Sequence, residues 1–225
     1  MKKLLLILLL LQVTYFAFAQ SDSVIRRKNR WCYSISAGSN YSSLDSKKRY
    51  PNSKGNFGWH IQQAIYYSFH KNFAVGIGLS YSNFAFTEFT TLFIGTFSRK
   101  QTFSSIEIPI QFKYTLNRIK YIKPYITVGY SRNFIMKTNL KRYTNNVKEA
   151  DFEIPFNPFC SFLFTSLGFK KTISNRFDLF IDFQLSQSYK PLSYTFNTPS
   201  PYPETITNWY PLQMFRGALG VNYKF

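Results

Sequence analysis

After its amino-terminal segment the chain lacks any long apolar run. No later stretch reaches the ~18 uninterrupted apolar residues that a membrane-spanning helix needs, and the mean hydropathy is only −0.20. The 225 residues include just 2 cysteines and 2 histidines, and their positions match no zinc-ligand spacing. Neither solenoid-length repeats nor heptads are present. These absences exclude a helical membrane protein and leave no sequence evidence for a metal or a cofactor.

The amino-terminal segment has the features of a secretory signal peptide. Lys2 and Lys3 precede the apolar run Leu4–Leu11, and Ala17-Phe18-Ala19 supplies a small-x-small cleavage site. A membrane anchor is the alternative, but the run is short and Gln12 interrupts it. The sequence therefore predicts three parts: a signal peptide (1–19), a short periplasmic segment (20–30) and one exported domain (31–225).

Acidic residues are scarce. Lys and Arg number 28 and Asp and Glu 10, which gives a formal net charge of +18 at pH 7. Such a charge is typical of solvated turns and loops, or of a protein that attracts anionic partners. For an exported chain those partners would be lipopolysaccharide phosphates or acidic glycans, and no nucleic-acid partner is expected.

Aromatic residues are abundant, at 20% of the chain, and they fall in runs that alternate with period two. In the third run Phe73, Val75 and Ile77 alternate with Gly76 and Gly78. This pattern predicts strands. Similar alternation occurs over residues 31–41, 56–69, 73–81, 105–114, 124–134, 157–169, 176–186 and 215–225.

The spacers between these eight runs alternate in length. Short spacers cover 70–72, 117–123 and 170–175, and long ones cover roughly 42–55, 83–101, 137–155 and 189–209. Short turns at one rim and long loops at the other are typical of outer-membrane barrels. The predicted fold is therefore all-β: a closed antiparallel transmembrane β-barrel of eight strands, with ten left open by the region 137–170. Both termini would be periplasmic. An exported soluble sandwich or lipocalin-like barrel is the alternative, with the aromatic faces turned inward.

Six charged residues fall on the faces predicted to point inward. Because eight strands leave an interior just filled by side chains, these charges must be paired. Asp182 with Arg216 is the pair predicted from neighbouring strands, and the set would form a structural polar plug. The six residues are Glu107, Lys113, Asp178, Asp182, Arg216 and Lys224.

Evidence for catalysis is weak. Asp178 and Asp182 lie four positions apart on one strand, ~13 Å, which is too far to share a proton transfer. His60 and Glu88 would both lie toward the long-loop rim, but no nucleophile accompanies them. The sequence therefore predicts no enzyme and no cofactor. Whether Cys32 and Cys160 form a disulfide is left open.

Three stretches resemble known sequences. The alternating carboxyl-terminal run that ends in Tyr223 and Phe225 resembles the signal read by the barrel-assembly machinery. The stretches "SSIEIPIQFKY" and "KPYITVGY" resemble the central hairpin of PorT-like outer-membrane β-barrel proteins of Bacteroidota. The resemblance implies a barrel in the outer membrane of a Gram-negative envelope. Most roles in that family are unassigned, and some members are linked to type IX secretion.

The expected role is structural or interactive. The long loops would contact an envelope or secretion partner or a glycan, and the barrel would contact outer-membrane lipid and lipopolysaccharide. A small passive pore is the second hypothesis, and an outer-membrane hydrolase or acyltransferase is the third.

Overall fold

A computed structural model describes residues 30–44, 53–92, 95–117, 122–145, 147–152, 159–190, 192–197, 205–210 and 212–225. The predicted signal peptide and nearly all of the predicted segment 20–30 lie outside these residues. Within the described part, no helix combines the length and hydropathy needed to cross a membrane. The described strands are β1 (Trp31–Leu44), β2 (Ser53–Ser68), β3 (Phe73–Leu92), β4 (Gly95–Thr115), β5 (Lys123–Thr144), β6 (Val147–Phe152), β7 (Phe159–Thr172), β8 (Phe177–Lys190), β9 (Leu192–Asn197), β10 (Thr205–Tyr210) and β11 (Leu212–Lys224).

Eight of these strands close into one antiparallel barrel. The order around the barrel is β1-β2-β3-β4-β5-β7-β8-β11, and β11 pairs with β1 to close it. The predicted eight-stranded closed barrel is confirmed, and the ten-stranded alternative is wrong. In the region 137–170, the described part of β6 pairs with the end of β5 that lies away from the β4–β5 turn. β7, and not β6, is the barrel strand that follows β5. β9 and β10 form a separate hairpin between β8 and β11.

The two faces of the barrel wall differ in polarity, and the apolar face points outward. Along β2, Ile61 and Ile65 are exposed, whereas His60 and Ala64 between them are buried. The same alternation runs through β3, where Val75, Ile77 and Leu79 are exposed. Buried polar side chains recur on the inner face of every barrel strand. A soluble barrel has the opposite arrangement, because water outside favours a polar exterior; an apolar exterior is typical of a barrel in lipid.

The connections differ between the two rims. At one rim, short turns join β2 to β3 (69–72), β4 to β5 (116–122) and β7 to β8 (173–176). At the other rim the strands themselves extend far beyond the barrel: β3 and β4 pair up to Leu92 and Gly95. The prediction of a loop over 83–101 is therefore wrong for most of its length, because this segment is a β-hairpin. The predicted loop 137–155 likewise contains the end of β5 and the whole of β6.

The structure explains two ambiguous parts of the sequence. Pro109 has no amide proton to donate, and the β3–β4 pairing lapses beside it, between Ile77–Ile110 and Ser80–Glu107, without a change of register. The β7–β8 register also shifts beside Ser161 and Phe162, where Tyr189 of β8 is the extra residue. β7 itself keeps its alternation and is apolar on both faces, because Cys160, Phe162 and Phe164 are buried inside while Phe159, Leu163 and Leu167 are exposed.

Cys32 and Cys160 are both free thiols. Cys32 is the second residue of β1, at the short-turn rim, and it packs near Ala64 and Tyr66. Cys160 is the second residue of β7, at the opposite rim, where it packs in an apolar cluster. A disulfide within the chain needs Cα atoms only ~4.4–6.8 Å apart, so these positions exclude one.

Candidate functional site

The candidate site is the barrel interior, where strands of opposite walls bring charged side chains together. Glu107 on β4 and Arg216 on β11 form an ion pair across the lumen, with Arg216 Nη2 donating to Glu107 Oε2 at 2.6 Å. Each side chain is only 2% exposed. Removing either charge would leave the other buried without a partner, which is strongly unfavourable.

The predicted pair of Asp182 with Arg216 is wrong. β8 and β11 are neighbours as expected, but Asp182 lies opposite Ala218, and Arg216 lies opposite Gln184. Asp182 instead accepts a hydrogen bond from Ser166 Oγ at 3.0 Å. A barrel of eight strands is narrow enough for the long Arg216 side chain to reach the far wall rather than the adjacent strand.

Lys113 lies among aromatic rings, nearer to the short-turn rim than the Glu107–Arg216 pair. Its Nζ is 4.0 Å from the ring centroid of Tyr66 and 4.5 Å from that of Tyr125, with Phe180 further away at 5.8 Å. Asp182 adds electrostatic attraction from β8. Ring faces carry negative potential, so they stabilise an ammonium group that is shielded from water.

Sequence reasoning missed these aromatic partners, although a glycine marks each of the three: Gly220 lies opposite Phe180 and leaves room for its ring. Side chains added at Gly76 and Gly168 would overlap the rings of Tyr66 and Tyr125. Each glycine lies on the strand next to its aromatic residue, and an inward ring therefore occupies the space of the missing side chain. An inward glycine paired with an inward aromatic residue is the signal that would have found the cage.

At the short-turn rim, Lys224 Nζ donates to Asp178 Oδ1 at 2.5 Å. Asp178 is buried, whereas the Lys224 side chain is 27% exposed. Asp178 and Asp182 therefore have separate partners and form no acid–base pair.

His60 and Glu88 are not brought together. His60 is buried opposite Ser82 and lies near Glu107 and Arg216, while Glu88 lies six positions further along β3. There Glu88 is opposite Arg99 and accepts a hydrogen bond from Gln101 Nε2 at 3.4 Å. Over the described ranges, no three His, Cys, Asp or Glu side chains are grouped to hold a metal ion.

An apolar cluster fills the long-loop end of the barrel, above the Glu107–Arg216 pair. We call this cluster the outer plug. The rings of Phe84 and Phe86 stack on Phe103 with centroids 5.1 and 5.6 Å apart. The members are Leu44, Phe84, Phe86, Phe103, Cys160, Phe162, Leu212 and Met214, all nearly or fully buried.

Below the plug, a cavity of about 20 Å³ separates the Glu107–Arg216 pair from the aromatic cage. His60, Lys113 and Asp182 are among the side chains that line it. Such a volume holds about one water molecule. Polar side chains therefore fill the interior, and aromatic residues close its long-loop end. The cavity is too small for an organic substrate.

Comparison with known proteins agrees with this geometry. A family model described as "Outer membrane protein beta-barrel domain" matches residues 18–196, most of the chain. The chain belongs to this family. The protein is therefore a small outer-membrane β-barrel, with its apolar exterior in lipid and its polar side chains inside. Among curated proteins, none matches the sequence.

Solved structures similar to this family member are outer-membrane barrels. OprG from Pseudomonas aeruginosa is 13% identical with a TM-score of 0.55, over 90% of this chain and 99% of that one. Neisserial surface protein A is 11% identical with a TM-score of 0.53, over 87% and 97%. A major outer membrane protein from Thermus thermophilus is 10% identical with a TM-score of 0.52, over 87% and 99%. At these identities the likeness shows the fold alone.

Proposed function

We propose that this outer-membrane barrel has a structural or interaction role, with a sealed interior and a binding surface at its long-loop rim. The single observation that supports the proposal is the double seal. The outer plug closes the long-loop end, and the Glu107–Arg216 pair crosses the lumen below it. Other molecules can contact the outer surface of such a barrel and the strands that extend beyond its long-loop rim, but not its interior.

The proposed orientation puts the short turns and both termini in the periplasm. With an even number of barrel strands, β1 begins and β11 ends at the short-turn rim. Outer-membrane barrels typically have short periplasmic turns and longer extracellular segments. The β3–β4 hairpin, β6 and the β9–β10 hairpin would then project from the cell surface, where they would meet a partner protein or an envelope glycan.

We further propose that the chain is of the PorT-like type found in Bacteroidota. The stretches that resemble that type, residues 104–114 and 123–130, lie in the half of the β4–β5 hairpin nearer the turn. A link to type IX secretion would follow only if a partner from that system binds the extensions.

A conductance experiment tests the sealed interior. Purified barrel in planar lipid bilayers is expected to show no stable open state, since the passive-pore hypothesis requires a continuous aqueous path. The Phe84→Ala, Phe103→Ala, Phe162→Ala variant, verified as folded by gel migration, removes the outer plug alone, and we expect it to remain closed because the Glu107–Arg216 pair still crosses the lumen. Stable conductance steps in the wild-type protein would support the pore and contradict the seal.

A crosslinking experiment tests the interaction role. A photoreactive residue at position 194, in β9, is expected to yield a discrete adduct in whole cells, because this hairpin would project from the surface. The same group at position 71, in a short turn, serves as the control. Equal adducts at both positions, or none at position 194, would contradict a binding surface on the β9–β10 hairpin.

A further inference from the structure

Four basic side chains form a column on the outward face of β4 and β5, which we call the cationic strip. Arg132, Lys137 and Lys141 follow one another along β5, and Lys100 lies beside them on β4. Arg132, Lys137 and Lys100 are exposed, and Lys141 is partly exposed. The face can be assigned because neighbouring residues of β5 are buried, namely Ser131, Asn133, Thr138 and Leu140. Arg132 and Lys137 share it because Met136 is the extra residue at the β4–β5 register shift.

The pairing register concentrates positive charge at the upper end of the strip. Lys100 lies directly opposite Lys141, an arrangement that is unfavourable between strands in the absence of an anion. On the other side of Lys141, β6 places Asp151 opposite it. The strip thus includes four basic residues, and in the described pairings Asp151 is the acidic residue that lies opposite one of them.

The lower end of the strip lies among aromatic and apolar residues of the lipid-facing surface. The guanidinium of Arg132 is 4.9 Å from the ring centroid of Phe159. Phe159 in turn packs edge-on against Phe134, with ring centroids 5.3 Å apart. Below Arg132, the exposed side chains of Val128 and Ile126 continue the apolar band. Aromatic residues of this kind mark the interface of a membrane barrel, so Arg132 lies at headgroup depth and Lys137 and Lys141 lie above it.

We propose that the cationic strip binds the phosphorylated sugar headgroup of an outer-leaflet glycolipid. Lys137 and Lys141 are four positions apart, ~13 Å along the strand, a span that suits a large headgroup with more than one phosphate. The strip is continuous with the apolar band, so the acyl chains of the same molecule would pack on Val128 and Ile126. A soluble anion would bind the basic side chains but would make no contact with Val128 and Ile126. The inference rests on the proposed orientation, in which β4 and β5 extend outside the cell.

A lipid-binding experiment tests the strip. The folded barrel is placed in phosphatidylcholine nanodiscs that contain diphosphoryl lipid A, and retained lipid A is counted by native mass spectrometry. Each basic residue at a membrane surface strengthens the attraction to anionic lipid by about fivefold. The Lys100→Gln, Lys137→Gln, Lys141→Gln variant is therefore expected to bind lipid A about a hundredfold more weakly.

The matched control removes the same charge from the other rim. Lys71, Lys123 and Lys171 lie at or beside the short turns, and their triple Gln variant is expected to retain lipid A like the wild type. Equal loss in both variants would show general charge attraction and overturn the site, as would full retention by the strip variant. Equal retention of phosphatidylglycerol, or displacement by inorganic phosphate, would overturn the assignment to a glycolipid.

A separate measurement tests the proposed orientation independently of the glycolipid site. Asn145→Cys, in a background without Cys32 and Cys160, is expected to react with a membrane-impermeant thiol reagent on intact cells. Lack of reaction would contradict the orientation and the proposed function together. Reaction at Asn145→Cys combined with unchanged lipid binding by the strip variant would contradict only the glycolipid site.

Discussion

At the scale of single residues, the interior depends on charges whose partners lie on distant strands. Glu107 and Arg216 are separated by 109 positions in sequence, yet they form the most buried ion pair that the structure shows among its described residues. Such a pair adds little net stability compared with apolar packing, but losing one partner is costly because the other remains desolvated. The pair therefore fixes which side chains face each other across the lumen.

The Arg216→Ala variant is expected to be less stable than the wild type by about 3–5 kcal/mol, the typical cost of leaving one buried charge alone. Urea unfolding of the barrel in lipid vesicles measures the difference. Lys171→Ala, at an exposed position in β7, serves as the control and is expected to change the free energy of unfolding by no more than ~0.5 kcal/mol. Equal unfolding midpoints for the two variants would contradict the burial of Arg216.

At the scale of strands, the sequence predicted the membrane-spanning part well, because lipid outside and packed side chains inside impose opposite polarities on alternate residues. The runs in β2, β3 and β8 show this directly. Beyond the membrane the contrast weakens: Asn83–Thr91 is strand, yet its polar residues resemble a loop. In β7 the inner face is itself apolar at Cys160, Phe162 and Phe164, so the contrast that the prediction used is lost there.

The interior contacts were harder to predict than the strands. The sequence placed the six charged residues inward but could not show how far a side chain reaches across a closed barrel. Arg216 was therefore assigned to the adjacent strand, whereas it contacts β4 on the far wall. The cage around Lys113 was missed because its rings come from β2, β5 and β8, which no local pattern links.

The last strand closes the barrel and carries the proposed assembly signal. Tyr223 packs against Phe177 and against Phe225, with ring centroids 5.2 Å apart in each case. The amide of Phe225 donates to the carbonyl oxygen of Trp31 at 3.3 Å. β11 itself pairs with β1 and with β8 along most of its length.

Deletion of Phe225 is expected to impair assembly in cells much more than folding in vitro. The side chain is 37% exposed, so its removal should cost only ~1–3 kcal/mol. We expect the variant to accumulate unfolded in the periplasm yet to refold into detergent with the heat-modifiable gel migration of the full chain. Poor folding in both settings would indicate a packing role, and normal assembly in cells would contradict the signal.

At the scale of the whole molecule, the central feature is the reversed distribution of polarity. Exposed Ile, Leu, Val and aromatic side chains encircle the barrel, while Glu107, Arg216, Lys113 and Asp178 are buried within it. An exported soluble barrel would require the opposite arrangement in water. The same reversal explains why the chain needs no apolar helix to remain in a membrane: each strand presents every second residue to lipid.

The most direct test of this reversal is a spin-label scan along β2, from position 59 to position 67, in the protein reconstituted in lipid vesicles. We expect labels at positions 59, 61, 63, 65 and 67 to collide with lipid-soluble oxygen, and labels at 60, 62, 64 and 66 to be shielded both from oxygen and from a water-soluble nickel reagent. The accessibility to oxygen would then oscillate with period two. Odd positions open to the nickel reagent and closed to oxygen would show an exterior in water and contradict the membrane barrel.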